Sequence, residues 1–337
     1  MQKLILANYQ APGDVTVLTA AVRDLHRCCP DRFITDVDTD WPELWENNPY
    51  VTPLNAADIE VRRIECRYPL ISFSNERPLH FVHGFIDDLN QQLGLDIKPT
   101  RIAGDIYLSD EEKSQPSLME QITGEAIPYW IIVAGGKFDC TIKWWHIRRW
   151  QAVVDRLRDR FLFVQVGAGR HYHPPLKGVI DLRGRTSLRD LVRLVYHADG
   201  VLCPVTCMMH LAAAVEMKPD ALSPRPCVVV AGGREPATWE AYPGHRFLHT
   251  IGMLPCCATG GCWRNRSVPL GDGKDTAHRL CVDTVNNLPR CMHMITPEQV
   301  VEAIRSYEPL GERTKLCAGN IFDHRMPPLF TNVAAIC

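Results

Sequence analysis

No apolar run in this 337-residue chain approaches the roughly 20 residues that a membrane helix needs, so no bilayer span is expected. The opening residues, Met1 to Asn8, turn polar too soon for a secretion signal, and a cytoplasmic protein is expected. Neither sign of charge dominates. With 37 Lys and Arg against 39 Asp and Glu, the net charge of -2 provides no general attraction to nucleic acid or to an anionic membrane. No basic groove stands out, which leaves nucleic acid an unexpected partner. No solenoid-type repeat is present either.

The chain is ordinary in bulk, at 46% hydrophobic and 23% charged residues, which places it among soluble globular proteins. Its length exceeds what one core usually serves, so two domains are expected. Cysteine is the exception in composition. Fourteen cysteines in an intracellular chain are not expected to form disulfides, and five of them fall close together: Cys256, Cys257, Cys262, Cys281 and Cys291.

An apolar strand, Lys3 to Ala7, leads through Pro12-Gly13 into a helix whose apolar stripe runs Val15, Val17, Leu18, Ala21, Val22 and Leu25. Strands are expected at Arg32 to Val37, Val61 to Ile64 and Arg101 to Leu108, with a short acidic helix from Trp41 to Glu46 and a helix-like stretch from Pro78 to Leu93. A polar segment, Ser109 to Ser117, marks a boundary. Strands and helices then alternate again from Tyr129 to Ala231, and Pro297 to Ser306 reads as a closing helix. The expected organisation is an N-terminal Rossmann-like domain over residues 1–125 and a second over 126–310. The second contains a cysteine-rich finger at 255–294, and a tail follows at 311–337. Such α/β, doubly wound domains in tandem bind ligands in a cleft at the carboxyl ends of their strands.

Ala198 to Val215 reads as a buried strand ending at Cys203-Pro204, then a helix opened by Thr206 that carries His210 about one turn inside. The free amides of a helix start form an anion site, and a diphosphate could rest there. Any strand-helix unit of an open sheet has the same pattern, and a lone His in an apolar helix is often a core residue. Gly232 and Gly233 follow another strand and permit close backbone approach to a ligand, with Arg234 either reaching that ligand or pairing with Glu235 or Glu240. Asp14 is a natural cap for the first helix. Lys143, ahead of Trp144-Trp145, is either a phosphate ligand or a lysine lying over two indoles.

The cysteines are spaced C-C-x4-C-x18-C-x9-C. Cys257, Cys262, Cys281 and Cys291 form a candidate four-thiolate shell for a structural zinc or iron ion, with Cys256 as the alternative ligand, because adjacent side chains diverge. Four thiolates would leave no open catalytic position.

Five segments in order carry a family resemblance: NYQAPGDVTVLTAAVRDLH from Asn8, ELWENNPYV from Glu43, AGGKFDCTIKWWHIRRWQ from Ala134, DLRGRTSLRDLVRLVYHADGVLCPVTCMMHLAAAV from Asp181 and VVVAGGREPATWEAYP from Val228. Together they resemble the ADP-heptose heptosyltransferases, glycosyltransferase family nine, whose fold is the two-Rossmann-domain GT-B arrangement. The cysteine segment is similar to the iron finger of bacterial autotransporter heptosyltransferases. The resemblance implies an inverting transfer of a heptose or related sugar from ADP-heptose, or another nucleoside-diphosphate sugar, to an acceptor hydroxyl. No catalytic divalent metal is implied. Asp14 falls at the position of the family's general base. Lys143, Thr141, Thr206, Met209, His210, Gly232 and Gly233 would hold the donor, with the adenine near Gly167 and Asp181-Leu182. The acceptor, whether glycan, protein or small molecule, would meet Arg62, Arg63, His80 and His83. One departure is plain. The family's Asn-Asp-Ser/Thr-Gly-Pro-Met-His-Leu-Ala is here Pro204 to Ala212 without the aspartate or the glycine, so the donor could differ. The rival readings are a non-catalytic nucleotide-sugar-binding scaffold and a metal-sensing module, and a homo-oligomer is left open.

Overall fold

The first strand, β1 (Gln2–Asn8), is buried over its last five residues and so needs cover on both faces. It lies at the centre of a parallel sheet in the order β2-β1-β3, with β2 at Phe33–Thr39 and β3 at Val61–Glu65. Cover comes from α1 (Pro12–Cys28) and α2 (Phe81–Leu93), whose buried residues join one continuous core with the sheet. Within α1, Arg23 is fully buried and neutralised by Asp24 at 2.9 Å and Asp105 at 3.0 Å. A buried cation is tolerated only with such partners. The computed structural model describes residues 1–219 and 224–307; the expected tail at 311–337 lies outside the described residues.

Two short helices, α3 (Asp110–Ser114) and α4 (Leu118–Thr123), occupy the expected boundary, each capped by a serine side chain. The second sheet has six parallel strands in the order β6-β5-β4-β7-β8-β9. In chain order its elements are β4 (Tyr129–Ile132), α5 (Ile147–Leu157), β5 (Leu162–Gln165), β6 (Ile180–Asp181), α6 (Leu188–His197), β7 (Gly200–Pro204), α7 (Cys207–Ala214), β8 (Cys227–Gly232), α8 (Ala237–Glu240) and β9 (Arg246–His249). The cysteine segment follows, with a small antiparallel hairpin of β10 (Thr284–Val285) and β11 (Leu288–Pro289), then α9 (Arg290–Met294) and α10 (Pro297–Arg305). The strand order reverses between β4 and β7, the switch point at which open parallel sheets bind ligands.

Two expectations need correction. Arg101 to Leu108 is not a strand: only Ile106 forms a bridge, to Val215 at the end of α7. The reason is that this segment leaves the first sheet, with Gly104 pressed onto α1 and the Ile106 amide donating to Ala214. The acidic helix from Trp41 to Glu46 shrinks to a 3-10 turn at Pro42–Leu44. β9 and the hairpin escaped the sequence reading because each is short and half exposed.

Candidate active site

Asp14 lies in the first turn of α1, which Ala11 caps without a side-chain bond and Pro12 begins, so Asp14 is not the cap. Its carboxylate Oδ1 accepts a hydrogen bond from the Tyr68 phenol at 2.6 Å, and the Gln10 amide donates in turn to that phenol at 2.8 Å. Burial raises the Asp14 carboxyl above its ordinary range, while Tyr68 and, from the second domain, Lys143 pull the other way. A partly desolvated carboxylate, bonded by the Tyr68 hydroxyl and its own backbone amide, is a competent proton acceptor.

The second domain packs against the residue before Asp14. A Cβ on Gly13 would lie 2.9 Å from His210 Cδ2 and 3.3 Å from Cys207 Cα, so only glycine lets α1 come this close to the start of α7. Thr206 precedes that helix, and its hydroxyl is buried and has no hydrogen-bond partner among the described residues. An orphaned hydroxyl beside free helix amides marks a place for an anion's oxygens. His210 is buried, with Nδ1 2.7 Å from the Tyr242 hydroxyl and Nε2 3.8 Å from Glu240 Oε2. Burial pushes its pKa down to about 3, so it acts as a neutral imidazole. Met209 is fully buried in the same helix and belongs to the core.

Lys143 closes a 3-10 turn, Phe138–Lys143, and its ammonium sits 2.6 Å from Glu235 Oε1. Arg234 shares that same oxygen and also donates to the Arg264 carbonyl at 2.7 Å. Burial opposes the Glu235 charge, but the Arg234 and Lys143 cations outweigh it and hold the carboxyl below its ordinary range. Glu240 behaves in the opposite way. Burial first, and the neighbouring Glu235 charge next, push it up to about 8. Glu235 and Glu240 were considered in the sequence only as partners for Arg234; burial, which composition does not report, gives them their weight.

Several expected ligands are otherwise engaged. The Thr141 hydroxyl is buried and bonded to Ser267, accepting from its amide at 2.8 Å, so it anchors the cysteine segment and does not face a free phosphate position. Gly232 and Gly233 serve packing. Gly232 has φ +69, and a Cβ there would meet Met292 Sδ at 2.5 Å; one on Gly233 would meet Cys257 Sγ at 3.0 Å. Arg62 donates to the Gln92 carbonyl at the far end of α2 and leaves the acceptor set. Arg63 pairs with Asp38 at 2.7 Å at the carboxyl edge of the first sheet, on the cleft side. His80 is the buried N-cap of α2, its ring against Tyr242 and its pKa down to about 3, and His83 bonds back to its amide. His80 is therefore not a cation available to an acceptor, and His83 has its Nδ1 engaged by the His80 amide. Asp181 pairs with Arg183 at 2.6 Å.

The five cysteines are neighbours without forming an ion cage. The Cys257 thiol points at the Thr250 carbonyl and the Cys281 thiol at that of Asp283, at 3.5 and 3.2 Å. Cys262 and Cys291 lie close enough for their charges to oppose one another, and burial first pushes the Cys291 thiol up to about 12 and that of Cys256 to about 11. Among the described residues no three His, Cys, Asp or Glu side chains are arranged to hold a metal ion. Among the described residues the expected four-thiolate shell of Cys257, Cys262, Cys281 and Cys291, or its Cys256 alternative, is not drawn together as an ion-holding group, and two of its thiols, those of Cys257 and Cys281, turn to backbone carbonyls. The segment is instead fixed to the first domain by Asn75, which exchanges two hydrogen bonds with the Gly261 backbone at 2.9 and 2.7 Å. No helix among the described residues is long and apolar enough to cross a membrane.

Residues 72–222 match the profile of Glycosyltransferase family 9 (heptosyltransferase). Among solved structures, a family 9 glycosyl transferase from Veillonella parvula is similar over 90% of this chain and 96% of its own, at 14% identity and a TM-score of 0.61. The iron-containing dodecameric glycosyltransferase TibC of enterotoxigenic E. coli is similar over 90% of this chain and 75% of its own, with 19% identity and a TM-score of 0.59. The ADP-heptose lipopolysaccharide heptosyltransferase II of E. coli gives 91% and 98%, 15% and 0.58. At these identities the likeness is one of fold, and it agrees with the expected GT-B arrangement. No curated protein matches the sequence.

Proposed function

We propose, from the premise that this chain is a GT-B glycosyltransferase of the family 9 kind, that it moves a heptose or related sugar from ADP-heptose to an acceptor hydroxyl with inversion. The observation that carries the reading is the close approach of α1 at Gly13, the residue before Asp14, to the start of α7 and His210 from the second domain. Asp14 takes the acceptor proton as the hydroxyl attacks the anomeric carbon, and Tyr68 holds the carboxylate in place. The departing diphosphate gains its oxygen contacts from the α7 amides, the Thr206 hydroxyl and neutral His210. Lys143 supplies positive charge from the Glu235 pair to the leaving group. A binding-only scaffold would have no use for a buried, hydrogen-bonded Asp14.

Purified protein should be stabilised against heat by ADP-heptose more than by ADP-, UDP- or GDP-glucose, and should slowly release ADP from it. Stabilisation by another donor alone would replace the sugar and keep the mechanism, whereas silence toward every donor would sink the enzyme reading. The acceptor belongs at the Arg63 edge of the first domain. A structural zinc or iron ion in the cysteine segment is decided by elemental analysis of the purified protein, and no step above depends on it.

Glu240 gives the reaction a pH dependence. Its carboxyl is neutral below about 8 and charged above it, so alkaline pH adds a negative charge beside His210, where the donor's diphosphate would lie. The donor KM is expected to rise above pH 8, and Glu240→Gln should flatten that rise. An unchanged alkaline limb in the variant would assign it to another group.

A further inference from the structure

The segment between Tyr68, which holds the Asp14 carboxylate, and α2 also reaches the second domain. Tyr68 leads into a 3-10 turn at Pro69–Phe73, and its carbonyl accepts from the Ile71 amide at 3.1 Å. The Phe73 carbonyl then accepts from the amides of Glu76 and Arg77 at 2.9 Å each, which fixes the backbone around Asn75. The Asn75 carboxamide pairs with both backbone groups of Gly261, donating to the carbonyl at 2.9 Å and accepting from the amide at 2.7 Å. A carboxamide supplies that donor and acceptor together, which a carboxylate cannot. Both glycines of the turn are needed for the approach. A Cβ on Gly260 would collide with the Asn75 carboxamide, and one on Gly261 with the Arg234 carbonyl.

From Gly261 the contacts run on to the buried charges. The Cys262 amide donates to the Gly233 carbonyl and the Trp263 amide to that of Arg234, each at 3.1 Å. Trp263 sits at φ +52, a left-handed conformation that a bulky residue keeps only where its surroundings fix it. The Arg234 guanidinium lies over the Trp263 ring at 5.2 Å and shares Glu235 Oε1 with the Lys143 ammonium. Residues 68–75 therefore hold the carboxylate at one end and, at the other, the backbone that carries the lysine's partner.

We propose that Asn75 is a positioning residue for the transfer reaction, which by holding Gly261 sets Arg234, Glu235 and Lys143 of the second domain in place relative to Asp14 of the first. The proposal rests on the transfer reading above. The Lys143 charge reaches the Asp14 carboxyl and draws it down against the effect of burial, so the two groups lie within electrostatic range. Asn75 acts through geometry alone, and a small displacement of the cation that meets the leaving group is enough to cost rate.

Steady-state kinetics of the full chain with ADP-heptose, well below the melting temperature, tests this. Asn75→Ala removes an exposed side chain, and it should lower turnover about 10-fold or more with little change in donor KM. Gly260→Ala, which crowds the carboxamide, should copy that effect. In a Lys143→Met background, Asn75→Ala should cost no further turnover, because it acts through the lysine. Parental turnover in Asn75→Ala, or a full additional loss in the Lys143→Met background, would overturn the proposal. Inactivity of the parent chain toward every donor would sink the transfer reading by itself. The link is then read from melting, where the Tm losses of Asn75→Ala and Glu235→Ala should be smaller together than their sum, and strict additivity would overturn it.

Discussion

Asp14→Asn is expected to lower kcat by about 10²- to 10⁴-fold, the usual worth of a positioned base, while leaving donor affinity nearly unchanged. The substitution preserves shape, and the Tyr68 phenol can still donate to the amide oxygen in the position of Oδ1. What is lost is the ability to take a proton. Donor affinity should survive because the proposed diphosphate position lies in the other domain, at α7. The acid limb of kcat/KM in the parent should lie above the ordinary carboxylate range, since burial raises Asp14. Tyr68→Phe removes a bond to the charged form and should shift that limb further up, with kcat restored at higher pH. Steady-state kinetics across pH, together with calorimetric donor binding, checks both statements. Wild-type kcat in Asp14→Asn would dismiss the base, and a parallel loss of donor binding would make Asp14 a donor ligand.

The second large effect is expected at Glu235, which is 1% exposed and is shared by Lys143 and Arg234. Glu235→Ala leaves two cations facing each other with their counter-charge gone, a change that costs about 3–5 kcal/mol when a buried pair is broken on one side. Thermal melting should show the loss clearly, and turnover should fall as well because nothing then places the Lys143 ammonium. Glu235→Gln keeps an acceptor and the volume, so it should recover part of the stability but not the charge. Lys143→Met is the informative contrast. It leaves Glu235 paired with Arg234, so stability should fall less than in Glu235→Ala while turnover falls as much. Melting of Glu235→Ala at the parental temperature would mean that water reaches the triad.

The chain itself made the architecture readable where burial is continuous. Leu162 to Gln165 and Cys227 to Gly232 are apolar along nearly all their length, as strands covered on both faces must be, and the structure buries every residue of both. The helices showed through their apolar stripes, as in α1 at Val15, Val17, Leu18, Ala21, Val22 and Leu25. Short elements at the edges carried too little pattern to be found, β9 and the hairpin above all.

The site divides in the same way. Thr206 and His210 could be named from the sequence because a strand-to-helix turn carries them, whereas the family resemblance singles out Asp14 and Lys143 over their plainer readings as a helix cap and a surface lysine. Their partners could not be named. Tyr68 stands 54 residues from the carboxylate it bonds, and Tyr242 stands 32 residues from His210. The resemblance likewise suggested that Thr141, Gly232 and Gly233 were open to a ligand, yet Ser267, Met292 and Cys257 already occupy the space beside them.

Taken alone, the sequence determined two α/β units, their order and the local turns that present a carboxylate and helix amides, because periodicity and turn chemistry act over a few residues. The tertiary structure decided which of those groups face one another and which charges are desolvated. Contacts across the two domains and the burial they impose depend on segments far apart in the chain, and no local pattern records them.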